Sequence, residues 1–326
     1  MGDIAGVGPE IIAKTMTRPE ILELADVVVI GDAAAMLQGI RDVDAQATVN
    51  RIDDLPQAEF RPGVIDLIQP TAPLEVPRGQ VSAVAGDGAV QFVKKACALA
   101  RDGYVDGIVT APLNKEAMHL GGHDYPGHTE LLASEFGVDR FSLVLASEKL
   151  AVFHVTAHVA LREAVDLVTA ERTLETIRLA SRFARAAGDG SPRIGVAGLN
   201  PHAGENGIFG QEDLTRIKPA IEAARAEGID AYGPLPADAL LPQAVNGDWN
   251  WVVVTYHDQG HAPFKSVYGD NGVNITAGLP TVRVSVDHGT AFDIAGTGVA
   301  RDDSLALAVR RAAELAPGWK AAWELD

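Results

Sequence analysis

"PRIGVAGLNPHAGENG", residues 192–207, reads as a short apolar β-strand running into a loop of Gly, Asn and Pro. Before it, "LVTAERTLETIRLASRFARAAG" (167–188) places apolar residues at helical spacing and ends at Gly188. After it, "DLTRIKPAIEAARAEG" (213–228) reads as a helix and "WNWVVVTYHDQG" (249–260) as another strand and loop. Helices that alternate with short β-branched runs imply an α/β fold with a largely parallel sheet.

The same alternation extends to both ends of the chain. "ADVVVIGD" (25–32) reads as a buried strand, followed by "AAAMLQGI" as a helix. "GDGAVQFVKKACALARDG" (86–103) is a helix and "VDGIVTAP" (105–112) the strand after it. "FSLVLASEKLAVFHVTAH" (141–158) reads as two strands joined by a tight turn at Ser147–Lys149. "TVRVSVDHGT" (281–290) is a further strand, and "DSLALAVRRAAELA" (303–316) a closing helix. The stretch from Arg41 to Pro70 lacks strong periodicity and reads as short strands and connections.

With 326 residues, 47% apolar and 22% charged, the chain can bury a large core as two domains or one large α/β unit. A net charge of −17 argues against nonspecific nucleic-acid binding. No apolar run is long enough to cross a bilayer. Cys97 is the single cysteine, so intrachain disulfides are impossible and a cytoplasmic location is the expectation.

Ligands of open α/β sheets bind beyond the carboxyl ends of the strands. Three histidines fall at such ends: His158 after "AVFHVTA", His202 after "RIGVAGLNP" and His257 after "WVVVTY". Each alone is more often structural, but three from separate strands point to a catalytic metal centre with an open position. Positive groups are also local. Lys265 follows His257 by eight residues, and Arg283 sits in a strand of Val and Ser, where it needs an anionic ligand or a structural ion pair. His128 and Thr129 open a helix in "YPGHTELL" (125–132), with Thr129 as the expected N-cap and an anion site as the functional reading. His154 is expected on the same strand face as His158, in the core or supporting the ligand, while His119 and His123 read as solvated and His261 as able to line the pocket. Neither a Rossmann fingerprint nor a Walker A motif is present.

Seven segments in order, "GDIAGVGPEI", "GHTELL", "TAHVALRE", "GLNPHAGENGIFG", "GPLPADAL", "YHDQGHAPFK" and "GVNITAGLPTVRVSVDHGTAFDIAGTG", resemble the 4-hydroxythreonine-4-phosphate dehydrogenases of the vitamin B6 pathway. The resemblance implies two α/β/α domains of the isopropylmalate/isocitrate dehydrogenase-like type with the active site in the cleft between them. It places a nucleotide-side domain at residues 1–112 and 266–326, and a metal and dimerisation domain at 113–265. It further implies His158, His202 and His257 as ligands of a divalent metal (Zn, Mg, Co, Mn or Ni). His128, Thr129, Lys265, Asn274 and Arg283 would contact substrate, with Lys265, Asp238 and Asp258 as candidates for proton handling. "HGTAFDIAG" looks like the nucleotide-side loop of the isopropylmalate and isocitrate dehydrogenases, so His288, Gly289, Thr290 and Asp293 are expected to bind NAD or NADP. A homodimer with the site shared at its interface follows from the same resemblance.

The implied reaction is NAD-dependent oxidation and decarboxylation of a small 4-phosphorylated 3-hydroxy acid, first of all 4-phosphohydroxy-L-threonine. "HDQGHAPFK" and "AGENGIFG" look closer to a sister group acting on 4-phospho-D-threonate or 4-phospho-D-erythronate, and His261 lies where the two groups differ. A sister enzyme oxidising an aromatic cis-dihydrodiol acid would not need the Lys, Asn and Arg set. A non-catalytic metal- or anion-binding protein is the rival of another class. Family members carry a strand before the opening loop "MGDIAGVGPE", so the resemblance implies that this strand is missing here through truncation or a misplaced start, with an inactive scaffold as one outcome.

Overall fold

The computed structural model describes residues 1–269 and 271–323. Its strands are β1 (Val29–Ile30), β2 (Thr48–Ile52), β3 (Val64–Ile68), β4 (Gly107–Thr110), β5 (Ser142–Ala146), β6 (Ala151–His154), β7 (Arg193–Ala197), β8 (Asp230–Leu235), β9 (Trp251–Val254), β10 (Val273–Ala277) and β11 (Val282–Ser285). The chain divides into two compact units: Met1–Gly137 with Arg283–Glu314, and Val138–Val282 with the residues from Leu315 onward.

In the first unit β1 and β2 flank β3, both parallel to it, and β4 lies beside β11. Every residue of β3 is buried, as a central parallel strand requires. Ile11, Met36, Leu67 and Phe92 fill the core between the sheet and its helices. The helix Ala83–Arg101 is capped by Ser82, whose hydroxyl accepts from Ala85 N. Cys97 is buried on this helix, and burial pushes its thiol up to about 12.

In the second unit the order is β10-β5-β6-β9-β7-β8. β5 pairs antiparallel with both β10 and β6, and the turn at Ser147 joins β5 to β6 as expected. β6, β9, β7 and β8 run parallel, so their carboxyl ends share one edge. Leu145, Val152, Val252, Val254 and Phe264 form the core there.

The unit boundaries differ from those expected at 112/113 and 265/266. Ala117 and Met118, on the helix Lys115–Leu120, are fully buried, and contacts with the helix Ala83–Arg101 keep this segment in the first unit. A cut after residue 265 would split the helix His257–Tyr268, which Phe264 anchors in the core of the second. That helix also corrects the sequence reading, which made "HDQG" a loop. Gly260 and Pro263 are poor helix residues, yet tertiary packing overrides their propensity. The helix expected at 167–188 runs from Ala170 to Ala186, capped by Thr169, and a separate short helix, Leu161–Leu167, precedes it.

Candidate active site

The parallel strands β6, β9 and β7 of the second unit deliver His158, His257 and His202 from adjacent carboxyl ends. Beyond β6 the chain stays zipped to β9 through Val155 N to Val254 O (2.9 Å) and the Thr156 hydroxyl to Thr255 O (2.8 Å). His158 and His257 are thereby brought together, ring centres 5.7 Å apart and planes inclined by 44°. Two imidazoles on one tetrahedral ion, at metal–nitrogen distances of about 2.0–2.1 Å, hold their centres roughly 5–6 Å apart, so this pair fits a shared metal. His257 Nδ1 lies 2.7 Å from Asp258 Oδ1, which leaves Nε2 as the nitrogen that could meet a metal. His202 is not part of this cluster. It is exposed and packs against Phe209, ring centres 5.9 Å apart. Among the described residues no group of three His, Cys, Asp or Glu side chains is arranged to hold a metal ion. Of the three expected ligands, His158 and His257 are therefore brought together and His202 is not.

The loop that carries His202 has an unusual backbone. His202, Ala203, Gly204, Glu205 and Asn206 all have positive φ, between 41° and 78°. Left-handed conformation costs an L-residue about 1–2 kcal/mol, so the surroundings must hold this turn in place. Asp213 does part of that, accepting from Leu199 N (2.7 Å), Asn200 N (3.0 Å) and Asn200 Nδ2 (2.9 Å). Gln259 ties the strand end that leads into the loop to the next strand. Its Oε1 accepts from Thr255 N (2.7 Å) and Thr255 Oγ1 (2.9 Å), and its Nε2 donates to Gly198 O (2.8 Å). Both act on backbone groups, and sequence reasoning passed over both. The Asn200 and Asp213 spacing and the buried Gln in "HDQG" were the available signals.

Two further histidines join the cluster. His261 stacks on His257 at 3.8 Å with planes inclined by 13°, and its Nδ1 lies 3.0 Å from His154 Nε2. His154 Nδ1 lies 3.0 Å from the Leu143 carbonyl. Because β6 ends at His154, strand alternation does not put His158 on its face; the zipped segment after the strand does. Burial drives His154 down to about 4, and burial with the neighbouring His154, His257 and Lys265 drives His261 to about 3. His257, His261 and Lys265 form an i, i+4, i+8 stripe on one helix face. Asp258 is mostly exposed and engaged with His257. Asp238 is exposed in the first turn of the helix Ala237–Val245, and Asn274 is half-buried on β10 opposite Leu145.

The first unit holds the remaining predicted residues. Arg283 on β11 is 2% exposed and donates from Nη2 to Thr110 Oγ1 at 2.7 Å. Burial brings its guanidinium down to about 10, opposed by Glu130. The helix His128–Phe136 is capped by Gly127 rather than by Thr129, which lies inside its first turn. With no side-chain cap, the first-turn N–H groups of this helix are open to an anion. His128 Nε2 is buried with no hydrogen-bond partner in the chain among the described residues, and burial beside Arg283 holds its pKa far below the ordinary range. A small cleft is lined by Lys115, His128, Thr110, Ser285 and His288.

The loop "HGTAFDIAG" packs on the opening residues of the chain. Val7 N donates to Thr290 O (3.0 Å), and a Cβ on Gly6 would stand 2.6 Å from that carbonyl oxygen, so only glycine allows the approach. Glu10 is buried and accepts from Gly298 N (2.9 Å) and from Gly296 N, while Lys14 Nζ donates to Gly298 O (2.8 Å) and Ala300 O (2.6 Å). Thr290 is buried; His288, Gly289 and Asp293 are exposed. Glu10 and Lys14, which shape this loop, were not singled out in the sequence.

Residues 23–312 match the family model described as pyridoxal phosphate biosynthetic protein PdxA. The chain belongs to the PdxA family. It is 59% identical to a D-threonate 4-phosphate dehydrogenase of Bordetella bronchiseptica, over 99% of this chain and 93% of that one. It is 47% identical to a 4-hydroxythreonine-4-phosphate dehydrogenase of Geobacter metallireducens, over 97% and 94% of the two chains. Among solved structures, the 4-hydroxythreonine-4-phosphate dehydrogenase of Klebsiella pneumoniae aligns with a TM-score of 0.88 at 46% identity, covering 97% and 96% of the two chains. Membership of the PdxA family makes this chain an α/β dehydrogenase and not a non-catalytic binder of metals or anions. No helix among the described residues is long and apolar enough to cross a membrane.

Proposed function

We propose that this chain oxidises D-threonate 4-phosphate at C3 with NAD and releases the carboxyl group as CO2. The observation that carries this reading is the 59% identity, along nearly the whole chain, to a protein named for that activity. The balance is one substrate and one NAD in, with dihydroxyacetone phosphate, CO2 and NADH out. A second reading, oxidation of 4-phosphohydroxy-L-threonine, is favoured by the relative of that name at 47% identity. The two substrates differ at C2, where one carries a hydroxyl and the other an ammonium group.

In this reading His158 and His257 hold a divalent metal with His202, the last contributed by a second copy of the chain in a homodimer. When bound, the metal would supply Lewis-acid chemistry at the substrate oxygens, and NAD would supply the hydride acceptor. Asp258 fixes the His257 tautomer and ring orientation through Nδ1. Lys265, Asn274, Arg283, His128 and Thr129 bind the anionic substrate, with Arg283 pre-oriented by Thr110. Of the groups weighed for proton transfer, Lys265 stands on the same helix face as the imidazoles and is the best placed. Asp258 already serves His257, and no contact of Asp238 supports a catalytic role for it. The first unit takes the nucleotide through the loop of His288, Gly289, Thr290 and Asp293. The enzyme works in the cytoplasm, consistent with a single, buried, unpaired thiol.

The test offers both phosphorylated acids to the purified protein with NAD and Zn or Mg and follows NADH absorbance. Turnover of D-threonate 4-phosphate with release of dihydroxyacetone phosphate is the expected result. Turnover of 4-phosphohydroxy-L-threonine alone would establish the second reading instead.

A further inference from the structure

Strands β4 and β11 end in Thr110 and Ser285, and both residues line the small cleft of the first unit together with Lys115, His128 and His288. Ligands of open α/β sheets are held beyond such strand ends. Among the described residues no carboxylate lines the cleft, in a chain whose 44 acidic residues outnumber its 27 lysines and arginines. Arg283 adds positive charge to its wall, donating to Thr110 Oγ1 at 2.7 Å.

Lys115 brings an ammonium that nothing in the chain engages. It is exposed at the first position of the helix Lys115–Leu120 and makes no hydrogen bond or ion pair with any described residue. Its Nζ would stand 3.9 Å from a Cβ on Gly127, the N-cap of the helix His128–Phe136. Glu130 Oε2 would stand 3.4 Å from the same point, yet the two side chains do not pair. An ammonium beside the amino end of a helix opposes the helix dipole, whose positive end is already there. His128 Nε2, buried and without a partner, belongs to the lining of the same cleft. One anion with several oxygen atoms meets the ammonium, the uncapped N–H groups and the unsatisfied imidazole together.

We propose that Lys115 is a further substrate-binding residue, whose ammonium and the uncapped end of the helix His128–Phe136 together hold the substrate's 4-phosphate and not its carboxylate. This rests on the functional reading above and names the group that the first unit grips. A phosphate ester carries about 1.5 to 2 negative charges on three acceptor oxygens at neutral pH, against one charge on two oxygens for a carboxylate. The carboxylate must also give up its charge as it departs as CO2, so a cation gripping it would stabilise the ground state more than the transition state. The phosphate keeps its charge throughout.

The experiment follows the kinetics of D-threonate 4-phosphate in the unaltered protein, Lys115→Ala and Lys115→Arg, with D-threonate as a competing ligand that lacks the phosphate. The Ala variant is expected to raise KM by about 10- to 100-fold with a much smaller change in kcat, and the Arg variant to recover most of the loss. The inhibition constant of D-threonate should not move. A matching loss for D-threonate would assign Lys115 to the carboxylate, and a raised KM for NAD alone would assign the cleft to the cofactor; either overturns the inference, as does an unchanged KM. Phosphorus-31 NMR titration with inorganic phosphate reads the subsite without turnover, so a failure of the reaction is told apart from a failure of the subsite. Phosphate binding that weakens about tenfold or more in Lys115→Ala, with the circular dichroism spectrum retained, supports the role. Equal binding by the two proteins, or none by either, overturns it.

Discussion

His257 and His261, one helical turn apart, lie face to face with ring centres separated by 3.8 Å. The helix sets this pair, because i and i+4 side chains share a face. Their chemistry differs through their Nδ1 partners: a carboxylate for His257, another imidazole for His261. In the proposed metal site, electron density pushed onto His257 by Asp258 would make it the better ligand.

Asp258→Ala removes the carboxylate that holds His257 Nδ1 at 2.7 Å. Affinity for Co(II) or Zn(II), read by calorimetric titration, should fall by about 10- to 100-fold. Equal affinity in the variant would deny Asp258 its orienting role.

Arg283→Lys replaces a planar donor fork with a point charge at a position 2% exposed. The Thr110 contact of 2.7 Å is lost and substrate must bind a flexible ammonium instead. KM should rise about tenfold or more while the circular dichroism spectrum is retained. An unaltered KM would make Arg283 a structural residue alone.

Cys97 should resist iodoacetamide at pH 8 in the native protein and react once it is unfolded. Its thiol is buried and held near 12, whereas the thiolate is the attacking species. Fast native alkylation would contradict the burial described for the Ala83–Arg101 helix.

Asp3 is fully buried, and burial lifts its carboxyl from 3.8 to about 6. A raised folded pKa means that the folded state binds the proton more tightly than the unfolded chain. Ionised Asp3 therefore costs stability above pH 6, and the cost disappears as pH falls below about 4. Asp3→Asn should raise stability in urea at pH 7.5 by about 1–3 kcal/mol, with little effect at pH 4. A variant destabilised at both pH values would show that the carboxylate is needed as such.

Ala203 stands at φ 51° in the turn that carries His202. Ala203→Gly should stabilise the protein by about 1 kcal/mol, since glycine adopts this conformation without the Cβ clash. A lowered Tm would mean that the methyl group packs productively against Gly198.

Much of this molecule was legible in its sequence because periodicity and strand ends carry physical meaning on their own. The β5–β6 hairpin and the strand-end positions of His158, His202 and His257 follow from local pattern. What escaped depended on distant partners. The helix at His257 contains Gly260 and Pro263, and packing of Phe264 was not visible from composition. Thr129 looked like a cap by residue type, but the extended backbone of Gly127 supplies the turn instead. His154 was expected in the core or supporting the ligand; its place between the Leu143 carbonyl and His261 emerges only from contacts with residues far along the chain. The wiring of Gln259 and Asp213 likewise joins elements that no short window contains.

Gln259 restricts how this sequence can drift. Its carboxamide presents an acceptor to Thr255 at one corner and a donor to Gly198 at the other. Glutamate, the nearest in shape, would turn a second oxygen toward the Gly198 carbonyl. The other amino acids reachable by one base change from a glutamine codon are Lys, Arg, His, Leu and Pro, and none reproduces both corners at that length. Evolution can therefore leave this position only through a less stable intermediate. A residue can be immobilised by its geometry as firmly as by its reactivity.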